Sequence, residues 1–522
     1  MFFIPSLGVF FYFHSPHSMA QGCTRLIKKI FSVCTPGVLA AAVMPIFVHS
    51  VGGRILCNKT LPNEGRLVFL VTTIIGQFVY SLLSSSRLGM IYFPLLDSLF
   101  LLGLIRNALN TTDLSSRLSV HIIVLIIENI LVFIVCTSVF VFKKANVIYK
   151  IPFSVQLASG IFNGIFYFTG SLMETMWACT DHTQIVTSLA LLLLTTLLAS
   201  ITFRCFPTPL VLISCFAIIT VAMNVSNVVF PENPWVTSQF SPPVPQFDFH
   251  SMIGSKLVKS GLNWKLIFLI ARTNFPIIMS LLTLTVLGFS CTLLLIEKTT
   301  KSPLDMNREF LAFGLANACA LGCPGSINYA CTILFILLGD TERLSSLMVS
   351  FAYIPIYFCF HIVNNYLPNF LAHFIMQFIG LSFLMEYVPS LITLSYMDIT
   401  ITLALVGLHF VSGGIVLACG GAVLITVLCR CVVTAIFTTQ SRIMPSLKML
   451  QKKRVLMPPV LDSFNIRGIV DEIKGKATEP LILDFTQCVF VDVTGNIALR
   501  ECIDTLNIKY EKIGSPMNLY KI

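Results

Sequence analysis

Charge is what this sequence has least of. Only 11% of its 522 residues are Asp, Glu, Lys or Arg, against about 25% in ordinary soluble domains. The mean hydropathy is +0.86, so a soluble enzyme is excluded. No C-x-x-C pair occurs among the 17 cysteines, and the nine histidines form no cluster with ligand spacing. That removes a structural metal site. Most cysteines sit in apolar runs (Cys215, Cys291, Cys319, Cys359, Cys419), where a thiol behaves as a small hydrophobe. No G-x-x-x-x-G-K-[ST] loop is present, which argues against a nucleotide-driven pump. The net charge of +10 is scattered and forms no basic stripe, so a nucleic-acid partner is not expected. Neither a cofactor nor an enzymatic site is expected.

The few charges are unevenly placed. Residues 441–522 carry 21 of them in 82 positions, a soluble-like density, whereas the preceding 440 residues carry 37. A large membrane domain followed by a small soluble tail is the expected organisation, with 1–33 as a cytosolic N-terminal segment, 34–432 as the membrane domain and 433–522 as linker and tail. Residues 1–14 are apolar but too short to span and lack a basic n-region; translation could start at Met1 or at Met19. A span needs about 20 apolar residues. Clear candidates are 34–51, 66–84, 119–142, 151–171, 184–203, 209–230, 276–296, 344–362, 369–387 and 412–432; weaker ones are 92–106, 308–322, 326–339 and 396–410. Fourteen spans place both termini on one side. Arg25, Lys28 and Lys29 before the first and Lys452, Lys453 and Arg454 after the last make that side cytoplasmic. The glycosylation triplets at Asn58 and Asn110 then fall outside.

A Pro-rich polar stretch, 231–262, divides seven spans from seven. An odd number per half gives the halves opposite orientation, the topology of inverted-repeat transporters. The third span of each half is broken. In the first, Ser84–Ser86 and Gly89 are poor helix formers and Pro94 suits a first helical turn. In the second, Gly322, Pro324 and Gly325 interrupt the chain and a short helix is expected from near Ser326. Short, interrupted segments at matching positions point to a binding site, because a helix starting at mid-membrane leaves N–H groups and a positive dipole end facing a cavity. Two kinked structural helices would give the same pattern. Asp97 and Glu128 are carboxylates within spans, each a functional candidate by position. Asp97 could couple a proton, balance a cationic group or pair with an Arg; Glu128 could serve a structural pair or a proton.

Residues 276–350 resemble the eighth-to-tenth span region of the sulfate permease (SulP) family of anion transporters. The resemblance rests on Asp305-Met306-Asn307-Arg308-Glu309, on Gly314-Leu315-Ala316-Asn317 and on the Gly-rich break that follows. Residues 72–87, 149–170 and 396–428 are similar to further family regions in the correct order. The resemblance implies an all-α polytopic protein of fourteen spans in two inverted repeats, likewise a homodimer. It implies secondary active transport of a small anion, sulfate or a relative, between half-helices in the third and tenth spans. By position it implicates Tyr92, Phe93, Pro94, Gly325, Ser326, Ile327 and Asn328 in substrate binding. The sequence departs from the animal sulfate and chloride carriers where they place an Arg after a Ser: here it reads Ala330-Cys331. The closer likeness is to fungal members, including a vacuolar branch linked to basic amino acids. A proton-coupled amino-acid or dicarboxylate transporter is therefore the alternative, with a plasma membrane or a vacuole-like organelle as the location. A non-transporting scaffold using the tail to bind partners is the second alternative.

In the tail, Leu481–Asp484 reads as a strand, Asp492–Gly495 as a turn and 496–506 as a helix. This resembles a shortened STAS domain, with Val493 where relatives of the anti-sigma-antagonist type carry a phosphorylatable Ser.

Overall fold

Within the described residues the apolar runs form helices and the breaks fall where glycine, proline and serine cluster; the expected spans 326–339 and 412–432 lie almost wholly outside the described residues. The computed structural model describes residues 44–49, 51–56, 61–86, 90–94, 98–106, 114–145, 153–178, 182–205, 209–230, 246–254, 264–300, 304–320, 322–327, 343–392 and 396–412. It adds isolated residues elsewhere, two short N-terminal strands and parts of the tail after residue 454. The helices are α1 Pro62–Leu83, α2 Ser98–Gly103, α3 Leu114–Val141, α4 Phe153–Ala178, α5 His182–Cys205 and α6 Pro209–Val229. They continue as α7 Trp264–Thr273, α8 Phe275–Thr300, α9 Met306–Ala320, α10 Arg343–Val363, α11 Asn369–Leu391 and α12 Tyr396–Ser412. Among the described residues, six helices are long and apolar enough to cross a membrane. The described residues are mostly helical.

Two compact units arise from interleaved segments: 1–142 with 175–375, and 143–174 with 376–522. The first holds both chain breaks. There α9 packs against α1 and α3, and α10 against α1. In the second, α4 and the end of α11 approach through small residues. A Cβ on Gly160 would strike the ring of Tyr387, and one on Gly380 would meet the α4 backbone at Phe168. Side-chain-free contact of this kind is how helices pack where lipid supplies no hydrophobic drive.

The chain before the eighth expected span is more helical than its polarity suggests. Asn274 N–H donates to Ile270 O at 3.0 Å and Ile278 N–H to Asn274 O at 2.9 Å, so the ladder runs on from α7 into α8. Pro276 lacks an N–H and interrupts the ladder at one position only. At ~1.5 Å per residue the pair is ~55 Å long, well beyond a ~30 Å hydrocarbon core. Lys265 and Arg272 hid α7 from a hydropathy reading.

The strands are few. β1 (Phe3–Ile4) pairs antiparallel with β2 (Val9–Phe10). β3 (Tyr92–Pro94) pairs with β4 (Gly325–Ile327). The tail has α/β character: β5 (Arg454–Leu456), β7 (Leu481–Asp484) and β9 (Tyr510–Ile513) form a parallel sheet in the order β5-β7-β9. β6 (Val460–Leu461) pairs parallel with β8 (Phe490–Val491). Leu499, Cys502 and Ile503 are helical and buried, within the stretch expected to form the tail helix.

Candidate functional site: two paired chain breaks

Irregular backbone at membrane depth persists only where protein groups replace the lost helical hydrogen bonds. Both breaks are built this way. α1 stops because Ser84 leaves helical geometry, at φ −52° and ψ 142°. The N–H groups of Ser85 and Ser86 then turn onto Glu309 Oε1 at 2.7 and 3.1 Å. The Ser85 hydroxyl joins them at 2.6 Å, and the Ser84 hydroxyl donates to both carboxylate oxygens. Tyr80 Oη donates to Glu309 Oε2. Arg308 Nε donates to Leu83 O at 3.0 Å, satisfying one of the last carbonyls of α1.

Further along, Gln77 bridges the returning chain. Its Oε1 accepts from Tyr92 N–H at 2.6 Å, and its Nε2 donates to Met90 O at 3.0 Å. Ser346 Oγ donates to the same carbonyl at 2.7 Å, and Thr332 Oγ1 accepts from Ile91 N–H at 3.2 Å. The second break is held similarly. Thr72 Oγ1 accepts from Cys323 N–H at 3.0 Å, and Asn129 Nδ2 donates to Gly322 O at 2.7 Å. Asn317 closes a pair with Gly325, accepting from its N–H at 2.9 Å and donating to its carbonyl at 3.3 Å.

Between these supports the two breaks pair with each other. Tyr92 lies opposite Ile327, Phe93 opposite Ser326 and Pro94 opposite Gly325. This corrects two expectations. Pro94 does not open a helical turn, since α2 begins at Ser98, and the chain stays extended through Ile327. The Gly325 N–H is not open to a ligand, because Asn317 takes it. The physical reason is common to both: extended pairing and side-chain amides such as Asn317 and Gln77 satisfy main-chain groups that an early helix start would have left orphaned.

The Tyr92 ring is wholly buried, wedged where Cβ atoms on Gly76 and Gly325 would collide with it, and stacked on Tyr80 at 6.4 Å. Its hydroxyl has no hydrogen-bond partner, nor has that of Ser326, 4% exposed. Pro94, Gly325 and Ile327 are buried beside them. Glu128 is buried on α3 and lies within electrostatic reach of Tyr92. Asn328, Asp97, Asn58 and Asn110 lie outside the described residues. The supporting set of Thr72, Gln77, Asn129, Glu309, Asn317, Thr332 and Ser346 was not singled out as functional by sequence. Its signal was present, as isolated amide, hydroxyl and carboxylate residues inside spans with a positive mean hydropathy.

The arrangement is a membrane-type helical fold whose unit of residues 1–142 and 175–375 centres on two interrupted spans meeting at paired extended segments. No family model and no curated protein matches the sequence. Solved structures do. The transmembrane domain of a cyanobacterium bicarbonate transporter, BicA, superposes with a TM-score of 0.51 at 13% identity, covering 74% of this chain and 96% of that one. SLC26A9 superposes at 0.53 and 14% identity, covering 92% of this chain and 84% of that one. The chain shares their fold.

Proposed function

We propose that the chain is a secondary active transporter of the sulfate-permease type, moving a small anion by alternating access through the paired breaks. Tyr92 and Ser326 are the observation that carries this reading. Two buried hydroxyls without partners, each costing about 1–3 kcal/mol, sit on the paired strands where two interrupted spans meet. A ligand that accepts hydrogen bonds would relieve that cost, and an oxyanion is such a ligand. The name of the BicA neighbour, a bicarbonate transporter, supports an anion. On this reading Tyr92, Phe93, Pro94, Gly325, Ser326, Ile327 and Asn328 surround the substrate, sulfate or a relative. The protein works in the bilayer as a homodimer with both termini cytoplasmic, in a plasma membrane or vacuole-like membrane, and its tail is a shortened STAS-like domain.

The test is uptake by the purified chain in liposomes of labelled sulfate, bicarbonate, chloride and arginine. An anion should be carried, and Ser326→Ala should raise the concentration needed for half-maximal uptake. Arginine uptake alone would establish the amino-acid alternative. A folded protein that moves none of the four would leave the scaffold reading.

A further inference from the structure

Glu128 is a buried carboxyl near the breaks whose chemistry the site does not yet use. Its carboxyl is wholly buried at mid-span on α3. Oε1 accepts from Thr285 Oγ1 on α8 at 3.0 Å. Oε2 has no partner. The next residue, Asn129, donates to Gly322 O, so the carboxyl stands one residue from the direct link between α3 and the second break.

Among the described residues, nothing supplies a counter-charge. The helices packed on α3 are α7, α8 and α9. Lys265 and Arg272 on α7 are exposed. Glu297 on α8 lies 12 residues along from Thr285, and Cys291 on the same helix is uncharged. On α9, Arg308 is exposed and turned to Leu83 O, and Glu309 is taken up by Tyr80 and the serines. Tyr92 and Cys136, which lie within electrostatic reach of Glu128, bring no basic group. On α3 itself, Arg117 and His121 stand 11 and 7 residues away. An ionised carboxylate here would hold one hydrogen bond and no cation, an arrangement a low-dielectric interior strongly disfavours. A proton on Oε2 removes the charge and converts an orphaned acceptor into an O–H donor.

We propose that Glu128 is the proton-binding site of the transport cycle, loaded in the conformation seen here and unloaded where water reaches it on the far side. This deepens the proposed function and rests on that reading. The step balances: one proton binds Oε2 to give a neutral acid, and the same proton leaves to water, regenerating the carboxylate. One proton then crosses with each anion, and the carboxyl is neutral while it is buried.

Two measurements on the full chain in lipid nanodiscs and proteoliposomes test it. Infrared spectra should show the C=O band of a protonated carboxylic acid at neutral pH. Glu128→Gln should abolish it, and Thr285→Val, which removes its one hydrogen bond, should shift its frequency. In liposomes, an inward proton gradient should stimulate labelled sulfate or bicarbonate uptake, and Glu128→Gln should lose that stimulation. Glu128→Asp should restore part of it, which separates coupling from misfolding. A spectrum without an acid band sensitive to Glu128 would overturn the assignment, and so would proton-stimulated uptake surviving in a folded Glu128→Gln. Should wild type carry no anion yet keep the band, the transport reading fails while Glu128 still stands as a proton-binding group.

Discussion

Replacing Glu309 with Ala should be the most destabilising single polar substitution in the first break. The carboxylate receives the N–H groups of Ser85 and Ser86 and the hydroxyls of Tyr80, Ser84 and Ser85. Hydroxyls can rotate toward new partners, but the two backbone N–H groups cannot, because the end of α1 fixes them. Ser86 N–H keeps the Ser84 hydroxyl oxygen at 3.1 Å, and an orphaned buried donor costs about 1–3 kcal/mol, so Glu309→Ala should lose ~1–3 kcal/mol from the Ser85 N–H alone. Glu309→Gln keeps one acceptor oxygen for the N–H pair while its amide faces the hydroxyls. Its loss should be smaller, roughly 0.5–1.5 kcal/mol, the margin between charge-assisted and neutral bonds. The assay is reversible unfolding in mixed detergent micelles titrated with denaturing detergent, followed by tryptophan emission. If Glu309→Ala came within about 0.5 kcal/mol of wild type, the range of a neutral surface change, the carboxylate would not be what holds the break.

Four shorter expectations follow, two from the same geometry and two from the sequence. Gly325→Leu drives a side chain into the Tyr92 ring and should abolish uptake of any anion the wild type carries; wild-type affinity in a folded mutant would move the site elsewhere. Tyr92→Phe removes a hydroxyl that has no partner among the described residues, so thermal stability should hold or rise while anion affinity falls, read by melting and by uptake on the same preparation. Asp97→Asn should reduce transport at normal expression if that carboxylate couples protons or faces a cationic group; unchanged uptake and pH dependence would make it structural. Glycosylation mapping should find Asn58 and Asn110 outside, and a cytosolic Asn58 would defeat the count of fourteen spans.

What the sequence could reveal was set by how local the cause was. Spans such as 119–142 and 276–296 were legible because twenty apolar residues force a helix across a bilayer whatever surrounds them, and α3 and α8 cover both stretches. The breaks were legible for a similar reason, since Ser84–Ser86 and Gly322–Gly325 weaken a helix by their own chemistry. What replaces the helix there was not local. Tyr92 is extended because Gln77, fifteen residues earlier, takes its N–H, and because Ile327, far along the chain, lies opposite it. Neither partner announces its role, and a lone Gln or Asn in an apolar run reads as interhelical glue. The same distance in sequence explains why Glu309 was seen as part of a resemblance and not as the clamp on α1. A residue such as Glu128 sits between these cases: burial follows from its neighbours in sequence, but the missing counter-charge is a property of three other helices. Its function therefore depends on what the fold withholds from it, which no reading of LIIENILV alone supplies.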